Sequence, residues 1–501
     1  MHVLRFCTHL QRLHIHTGNC FRVPGCRYEV GPAAELARTA TTSLKLKTAA
    51  FKFSGSGGDP PESLAEILAS MTSASFTDKR SIQVYGNIEG SGRRRHEVMT
   101  ISPQEEIHGH AAVADSGLSS FHRTIAPLTV MAQCFALLPV HGVTAPSPKA
   151  LRFRWMSARV AYTIAVLFSL LFMVFFCILY ILQIGGTFQD AQCMIFYGIA
   201  TATYGAFLHL AGRWPRLVVQ WSAVEHAQSC YGSSKSLRLK IRCITALLLA
   251  GAAIEHFLNE YNNLSFAARH ANTTSGVVQQ YMLRSHHHLF TYLGYSHACA
   301  VFASVAAALA TFSWNFMDLF IAVTSIALTD RFRLLNRNLQ AFRGKRMSAE
   351  FWKQTRERYT SLMYLTDTLN LGVSHVVLLS FGSNLYFICL QLFNSLNPLK
   401  NWYERVYFYW SFGFLLLRTA TVSLSVAGIN DESRLPRVLM YALPSDSYND
   451  EVSRFQQLVT TCHVALTGLS FFSVTRTMLL TMAGTIVTYE IVLVQFSHVN
   501  T

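Results

Sequence analysis

The last helix-forming segment of the chain carries polar side chains at a spacing that suits a water-filled conduit. Thr488 and Gln495 are seven residues apart, so they lie on one face of a helix. Tyr489 and Phe496 are also seven apart and flank that face. Copies of such a helix around a symmetry axis would form a ring of threonines, a ring of glutamines and a phenylalanine constriction, which is how a dewetting gate is built. Hydrogen bonding of Thr488 and Gln495 to a packed neighbouring helix explains the same spacing equally well.

Ionisable side chains inside apolar segments form a second group, because such groups are costly to place in a membrane. They are His209, Glu255, His256, His297, Asp318, His375, Arg418 and Glu490. Trp314 and Asp318 lie four residues apart on one helix face, with Asn315 between them in the sequence. An aromatic ring beside a carboxylate and an amide suits a sugar, because the ring covers apolar C–H patches and the polar groups bind hydroxyls. The alternative for each ionisable group is a buried internal pair, or a position from which the side chain reaches water.

The composition indicates a membrane protein rather than a soluble one. Of the 501 residues, 51% are hydrophobic and only 14% are charged, whereas soluble domains carry about 25% charged residues. The 11 cysteines include no C-x-x-C pair, so their spacing suggests neither a zinc site nor a redox dithiol. No nucleophile elbow, P-loop, zincin or paired-carboxylate motif is present, which argues against an enzyme.

Seven apolar runs predict an all-α polytopic membrane protein with seven transmembrane helices. The runs cover 160–182, 192–212, 243–258, 289–329, 370–393, 404–428 and 455–496. The fourth run contains no proline, and no glycine after Gly294, so it predicts one long helix that crosses the membrane and projects into the cytoplasm. Arg476 divides the last run into a cytoplasmic-side half and a membrane half.

The distribution of Lys and Arg predicts the orientation of these helices. Basic residues concentrate before the first run and in the loops after the second, fourth and sixth runs. The positive-inside rule then places the N-terminus in the cytoplasm and the C-terminus outside. The two N-x-S/T sequons, at Asn263 and Asn272, both lie in the 259–288 loop that this rule places outside, and they predict glycosylation there. This orientation is opposite to that of G-protein-coupled receptors.

Three regions follow along the chain. Residues 1–118 are rich in Gly, Ser, Thr, Arg and His and predict a disordered cytoplasmic N-terminal region. Residues 119–150 are apolar but interrupted by Pro127 and Pro139, which favours an interfacial or re-entrant helix over a full span. Residues 151–498 form the seven-helix domain.

Several segments together resemble the insect gustatory receptors. The ending Thr488-Tyr489, five apolar or acidic positions and then Gln495-Phe496 is similar to the signature of that family, and Glu490 after the tyrosine resembles its sugar-receptor branch. Further resemblances lie at 121–123, 314–320 and 383–396. They occur in the family's order and extend over about 119–496.

The resemblance implies a gustatory receptor for sugars that acts as a ligand-gated, non-selective cation channel in the plasma membrane of a chemosensory neuron. It implies a homotetramer, or a heteromer with related receptors, in contact with membrane lipid and with permeating cations. The last helix would line the pore, with Gln495 and Phe496 as the gate and with Thr488 and Tyr489 lining or bracing the pore below. The extended helices four to seven would form a cytoplasmic anchor. No cofactor, metal or nucleic-acid partner is expected.

The resemblance also implies a sugar site in the outer half of each subunit, between the spans. The expected ligand-binding residues are Glu255, His256, Trp314, Asn315, Asp318, Asn384, Tyr386 and Gln391. If the fourth span begins near Leu289, Asp318 is too deep for an outer pocket; the pocket then requires a span that starts some ten residues later, or a site that reaches the midplane. A receptor channel of the same superfamily for odorants or other tastants, or a metabotropic seven-helix receptor, remains the alternative.

Overall fold

The described part of the chain is almost entirely helical. In the computed structural model it comprises residues 120–184, 191–231, 235–270, 273–395 and 401–499. Its α-helices are α1 (Phe121–Cys134), α2 (Ala158–Ile184), α3 (Ala191–Ala227), α4 (Lys235–His270), α5 (Thr274–Ser285), α6 (His287–Leu293), α7 (His297–Ala341), α8 (Ala349–Ser395), α9 (Trp402–Tyr441), α10 (Asp450–Thr461) and α11 (Arg476–Val499). Two short strands, β1 (Thr467–Gly468) and β2 (Phe472–Ser473), pair antiparallel between α10 and α11. The predicted disordered region 1–118 and the sequon residue Asn272 lie outside the described residues.

Within this part, six helices are long and apolar enough to cross a membrane: α2, α3, α4, α7, α8 and α9. The predicted all-α membrane fold is therefore confirmed. The predicted count of seven spans is not confirmed, because α11 is not one of these six helices.

The helices extend beyond the apolar runs that predict them. The fourth run was expected to form one helix from residue 289, but Gly294 adopts φ +66° at the end of α6, and α7 begins only at His297. From there α7 continues unbroken for 45 residues, about 68 Å. The predicted long helix is therefore present, but it begins at His297 and not at residue 289. The predicted 259–288 loop is also largely helical, since α4 runs to His270 and α5 follows.

Hydrogen bonds at two levels fix the relative direction of α3 and α8. Arg213 of α3 donates to the backbone oxygen of Leu371 in α8, and Arg358 of α8 donates to the hydroxyl of Tyr231 just after α3, so α3 and α8 are antiparallel. We call the end of the bundle where α8 ends and α9 begins the upper end, and the opposite one the lower end.

Helix α1 runs along the bundle rather than across it. At one end, the Phe121 ring stacks on Trp221 of α3 with 3.9 Å between centroids. At the other end, Phe135 stacks on Phe312 of α7, and its backbone oxygen accepts a hydrogen bond from Tyr204 of α3. Trp221 and Tyr204 are 17 residues apart in α3, about 25 Å along its axis. Helix α1 therefore lies alongside α3 over most of its length.

Charged side chains at the lower end are paired across helices. Arg333 of α7 binds Glu432 of α9 at 2.8 Å, and Arg356 of α8 binds Glu451 of α10 at 2.9 Å. The hydrogen bond from Arg356 holds the pKa of Glu451 below its usual range. The lower ends of these helices thus form a polar, cross-linked layer.

A buried ion pair fixes the start of α1 to this layer. Glu225 of α3 accepts hydrogen bonds from the backbone N–H of Phe121 and lies 3.2 Å from Arg331 of α7, whose side chain is also buried. We expect Arg331→Ala to lower the free energy of unfolding by about 2–3 kcal/mol, because it leaves the buried carboxylate with only its neutral partners.

Thermal melting of the detergent-purified protein measures this effect. Arg333→Ala is the matched control, since its pair is more exposed and should contribute at most about 1 kcal/mol. Equal melting temperatures for the two variants would contradict a structural role for Glu225 and Arg331.

Candidate functional site

Three predicted ligand residues meet in a buried polar cluster between α7, α8 and α9. Asp318 is 0% exposed, and its carboxylate lies 2.9 Å from Nε of Arg418, which is 1% exposed. Ser380 Oγ and Asn384 Nδ2 donate hydrogen bonds to the two carboxylate oxygens of Asp318. The guanidinium of Arg418 also donates to Oδ1 of Asn315 at 2.7 Å and to Oδ1 of Asn384 at 3.2 Å. We call these five residues the Asp318 cluster; its charges and amides largely satisfy one another.

Trp314 covers this cluster from above. The Arg418 guanidinium lies 4.2 Å from the Trp314 ring centroid, a cation–π contact that also fixes the direction of the arginine. The indole packs against Phe387 of α8 at 4.6 Å and against Phe196 of α3 at 6.3 Å. Its Nε1–H is buried and has no hydrogen-bond partner within the described residues. A buried, unpaired N–H costs free energy, so this donor is suited to a ligand oxygen.

A second polar cluster lies closer to the upper end. Ser411 of α9 donates to Oε1 of Glu255 in α4 at 2.6 Å and accepts from Nε2 of Gln391 in α8 at 3.3 Å. Tyr407, one turn above Ser411, also hydrogen bonds to it. We call these four residues the Glu255 cluster. Glu255 and Gln391 are half-buried, so this cluster, unlike that of Asp318, keeps access to solvent.

Gly251 sets the distance between the two helices that form the Glu255 cluster. A Cβ at this position would overlap the ring of Phe414 in α9, so glycine allows α4 to approach α9 closely. Glu255 lies four residues further on, on the same face of α4. The close approach therefore brings the carboxylate to the Ser411 hydroxyl.

The two clusters are consecutive levels of one polar face. Ser411 and Arg418 are seven residues apart in α9, as are Gln391 and Asn384 in α8, which places the levels about 10 Å apart. Asp318 lies 21 residues below the start of α7, near the middle of that 45-residue helix. In α8, Asn384 at the level of Asp318 lies 11 residues below the end of the helix, about 16 Å, and Gln391 only four residues below it, about 6 Å. Although α7 starts only at His297, Asp318 still lies near the middle of this helix and is too deep for an outer pocket. Glu255 lies nearer the upper end and does not meet this difficulty.

The other predicted ligand residues lie at the periphery of these clusters. His256 turns away from the Glu255 cluster, and its exposed imidazole lies 3.9 Å from Glu260 one turn further on. Tyr386 is half-buried and packs edge-on against Phe387, which in turn touches Trp314. The sequon residue Asn263 is half-buried inside α4 rather than in a loop, and sequons that are modified belong to surface loops.

Ser380 and Ser411 are site residues that the sequence does not predict, and Arg418 is singled out there only as an ionisable group in an apolar run, without a role in the site. Arg418 could have been found as the opposite charge for Asp318, since both lie in apolar runs. The two serines carry no such signal, because a serine inside an apolar helix is common and usually bonds to its own backbone.

Helix α11 presents three different faces. One face carries exposed polar side chains within an arc of about 80°: Thr477, Thr481, Thr485, Thr488 and Gln495. A second face packs on the bundle through Met478, Met482, Ile486 and Tyr489. The third is apolar and exposed, with Leu480, Val487 and Ile491 between 53% and 75% exposed. Three of the threonine hydroxyls bond to carbonyl oxygens one turn earlier, which leaves only lone pairs facing outward.

The packed face of α11 touches the surroundings of the polar clusters. Ile486 and Tyr489 pack against an apolar cluster of α8 and α9 that consists of Phe387, Ile388, Leu390, Leu392 and Leu415. Trp314 and Tyr386 pack against the same cluster. At its lower end α11 is held by Arg476, which lies 2.6 Å from Asp431 of α9. A displacement at Trp314 or Phe387 can therefore reach the middle of α11 through direct contacts.

The chain has the fold of an insect olfactory receptor, a helical membrane-protein fold. The chain superposes on the structure of an insect olfactory receptor from Machilis hrabei with a TM-score of 0.55 and 12% identity, over 74% of this chain and 97% of that one. The eugenol complex of the same receptor gives a TM-score of 0.52 at 13% identity, with the same coverage of both chains. At this identity the likeness concerns the fold alone.

Sequence comparison then gives the family. Residues 110–501 match the family model described as "Trehalose receptor". The chain is 34% identical to the Drosophila melanogaster "Gustatory receptor for sugar taste 64f" over 84% of this chain and 89% of the relative. It is 36% identical to the "Gustatory receptor 5a for trehalose" of the same organism over 75% and 85%. The chain therefore belongs to the insect gustatory receptor family, which consists of chemosensory receptors and not of enzymes, and the resemblance seen in the sequence is confirmed.

Proposed function

We propose that this chain is a sugar-gated, non-selective cation channel of chemosensory neurons. Its relatives for sugar taste and for trehalose support the ligand class. The observation that carries the channel mechanism is the packing of Ile486 and Tyr489, on the helix with the exposed threonine stripe, against the apolar cluster that Trp314 also touches.

The sugar binds between the two levels of the polar face, on the upper side of Trp314. The Glu255 carboxylate and the Gln391 amide bind hydroxyl groups, and the unpaired Nε1–H of Trp314 donates to a third oxygen. Gln391 and Phe387 are one turn apart on the same face of α8, so the Trp314–Phe387 pair forms the apolar floor of this site. Asp318, Asn315 and Asn384 act as positioning residues, since the Asp318 cluster holds the tryptophan in place through Arg418.

Four copies of the chain, or related chains, surround a pore lined by α11. In this arrangement the threonine stripe with Gln495 faces the water-filled axis. The apolar exposed face, with Leu480, Val487 and Ile491, packs against the adjacent subunit. The upper end is extracellular, in keeping with the positive-inside rule. Gln495 and Phe496 lie near this end and form the gate.

Sugar binding opens the pore through α11. The bound sugar pushes Trp314 away from the Glu255 cluster. The apolar cluster around Phe387 then shifts, and Tyr489 moves with this cluster. The upper part of α11 then leaves the axis. A ligand can drive this change only by its difference in affinity between the closed and open states.

Glu255→Gln tests the sugar site. We expect the half-maximal sugar concentration for whole-cell current to rise by about 10- to 100-fold, because a hydrogen bond to a charged acceptor contributes about 1.5–3 kcal/mol. His256→Gln is the matched control, since this adjacent side chain faces away from the cluster. The measurement is a concentration–current curve for a panel of sugars on cells that express the chain alone and with related receptors.

Two results would count against this proposal. Identical concentration–current curves for Glu255→Gln and the wild-type protein would exclude the Glu255 cluster as the sugar site. Sugar-evoked signals that depend on G proteins, with no current in excised membrane patches, would exclude the channel mechanism and favour a metabotropic receptor.

A further inference from the structure

Two thiols and an imidazole from three separate elements converge near the upper end of the bundle. They are Cys177 of α2, Cys193 of α3 and His288 of the short helix α6, and their possible ligand atoms all lie within 4.8 Å of one another. Neither cysteine takes part in a disulfide within the described residues. Their spacing along the chain gives no metal motif because the ligands come from three elements rather than from one local sequence.

The imidazole of His288 is the observation that points to a ligand. Its residue is 2% exposed, and neither ring nitrogen has a hydrogen-bond partner within the described residues. A buried imidazole without partners costs free energy, so it is expected to bind something.

We propose that Cys177, Cys193 and His288 bind one Zn²⁺ ion per protomer. Two thiolates and one imidazole are a usual donor set for zinc. Zinc binds sulfur at about 2.3 Å and nitrogen at about 2.0 Å, so tetrahedral ligand atoms are about 3.5–3.8 Å apart. The three ligand atoms now lie within 4.8 Å of one another, so side-chain rotations that move them by about 1 Å give that geometry.

Zinc binding at this site releases protons and leaves the buried site without net charge. Each cysteine loses its thiol proton to solvent when its sulfur binds the metal, so one Zn²⁺ displaces two protons. Zn²⁺ with two thiolates and a neutral imidazole has no net charge, which avoids the cost of burying an ion, whereas Cu⁺ would leave the site negative. Cys193 is half-buried and gives the ion its access, while Cys177 and His288 are closed to solvent.

The surroundings would support such a site. The Tyr197 ring, on the same helix as Cys193, packs beside His288 with 5.7 Å between the ring centroids. His287, beside it, packs against Tyr180 of α2 at 4.8 Å, which holds α6 onto the bundle. Bound zinc would join α2, α3 and α6, directly before the turn at Gly294 that starts α7. This inference does not depend on the proposed sugar site.

The experiment uses the full-length protein purified in detergent under reducing conditions, treated with a chelator and then desalted. Zn²⁺ is added, excess ion is removed, and the bound metal is measured by mass spectrometry. We expect one Zn²⁺ per protomer and a higher melting temperature with zinc. Co²⁺ in place of Zn²⁺ should give the absorption of thiolate-to-cobalt charge transfer, a direct sign of cysteine ligands.

Cys177→Ala, Cys193→Ala and His288→Ala should each lower the zinc affinity at least about tenfold. Cys299→Ala and His297→Ala are matched controls near the same end of the bundle and should bind zinc as the wild type does. Size-exclusion elution and the metal-free melting temperature show whether each variant is folded. If a ligand variant misfolds, the wild-type protein is used for a second test. Zn²⁺ should then protect Cys193 from reaction with a maleimide reagent.

Three outcomes would overturn the proposal. One is reduced wild-type protein that binds no stoichiometric zinc. Another is unchanged affinity in the Cys177→Ala/Cys193→Ala double variant or in His288→Ala. The third is a Cys177–Cys193 disulfide in protein isolated without reductant, combined with no zinc binding after reduction.

Discussion

Replacement of Arg418 by methionine is expected to lower the free energy of unfolding by about 3–5 kcal/mol. Arg418 is 1% exposed and compensates the fully buried Asp318. Without the guanidinium, the carboxylate keeps only the Ser380 hydroxyl and the Asn384 amide, and Asn315 loses its donor as well. Because whole proteins are stable by only about 5–15 kcal/mol, such a loss should sharply reduce the folded receptor at the cell surface.

Surface labelling and thermal melting in detergent measure this effect. The double variant Asp318→Leu/Arg418→Met should recover most of the lost stability, since a buried pair replaced by apolar groups of similar size is often neutral. Arg437→Met, an exposed position on the same helix, is the control and should melt like the wild type. Full stability of Arg418→Met alone would show that the pair does not hold α7, α8 and α9 together.

The double variant also separates a positioning role from a ligand-binding one. If Asp318 only positions Trp314, the folded double variant should still respond to sugar, with a moderate change because the cation–π contact to Trp314 is lost. If Asp318 binds the sugar directly, the double variant should reach the surface and remain silent. The second result would restore the role that the sequence alone predicts for Asp318.

What the sequence predicts well is what one helix determines by itself. The arrangement of Thr488, Gln495 and Tyr489 on α11 follows from helical periodicity, and in the structure the first two are exposed while Tyr489 packs on the bundle. Trp314 and Asp318 share a face for the same reason. Their partners could not be derived in the same way, because Arg418 lies 100 residues from Asp318 in the chain and meets it only through tertiary packing.

Helix lengths were underestimated for a related reason. A hydrophobic run ends where charged residues begin, but in the structure those charges are paired across helices, as in Arg333 with Glu432 and Arg356 with Glu451. The helices therefore continue as polar helices below the apolar bundle. The start of α7 was placed too early because Gly294, with its positive φ, interrupts a run that is apolar on both sides.

Gln495→Ala is expected to give the largest functional effect of the substitutions in α11. In a tetramer the substitution removes four polar side chains from the ring that faces the open pore. If each contributes at least about 0.5 kcal/mol to the open state through hydrogen bonds with water, the balance between open and closed pores shifts by roughly 2 kcal/mol, or about thirtyfold. The maximal sugar-evoked current should fall accordingly, and the relative permeability of monovalent and divalent cations should change.

Two measurements distinguish an effect on the pore from one on the ligand site. The sugar-dependent rise in melting temperature of the purified protein should be the same in Gln495→Ala and the wild type, because the substitution lies outside the proposed sugar site. Gln457→Ala removes the same side chain from an exposed position on α10 and should leave the current unchanged. Thr488→Ala, on the same stripe of α11, should alter cation selectivity in the same direction but less strongly. Wild-type currents and selectivity in both stripe variants would mean that α11 does not line the conduction path. Its threonine stripe would then have to contact lipid or another helix. Three of its hydroxyls are already bonded to backbone carbonyls of α11 itself, so they would stabilise such a contact only weakly.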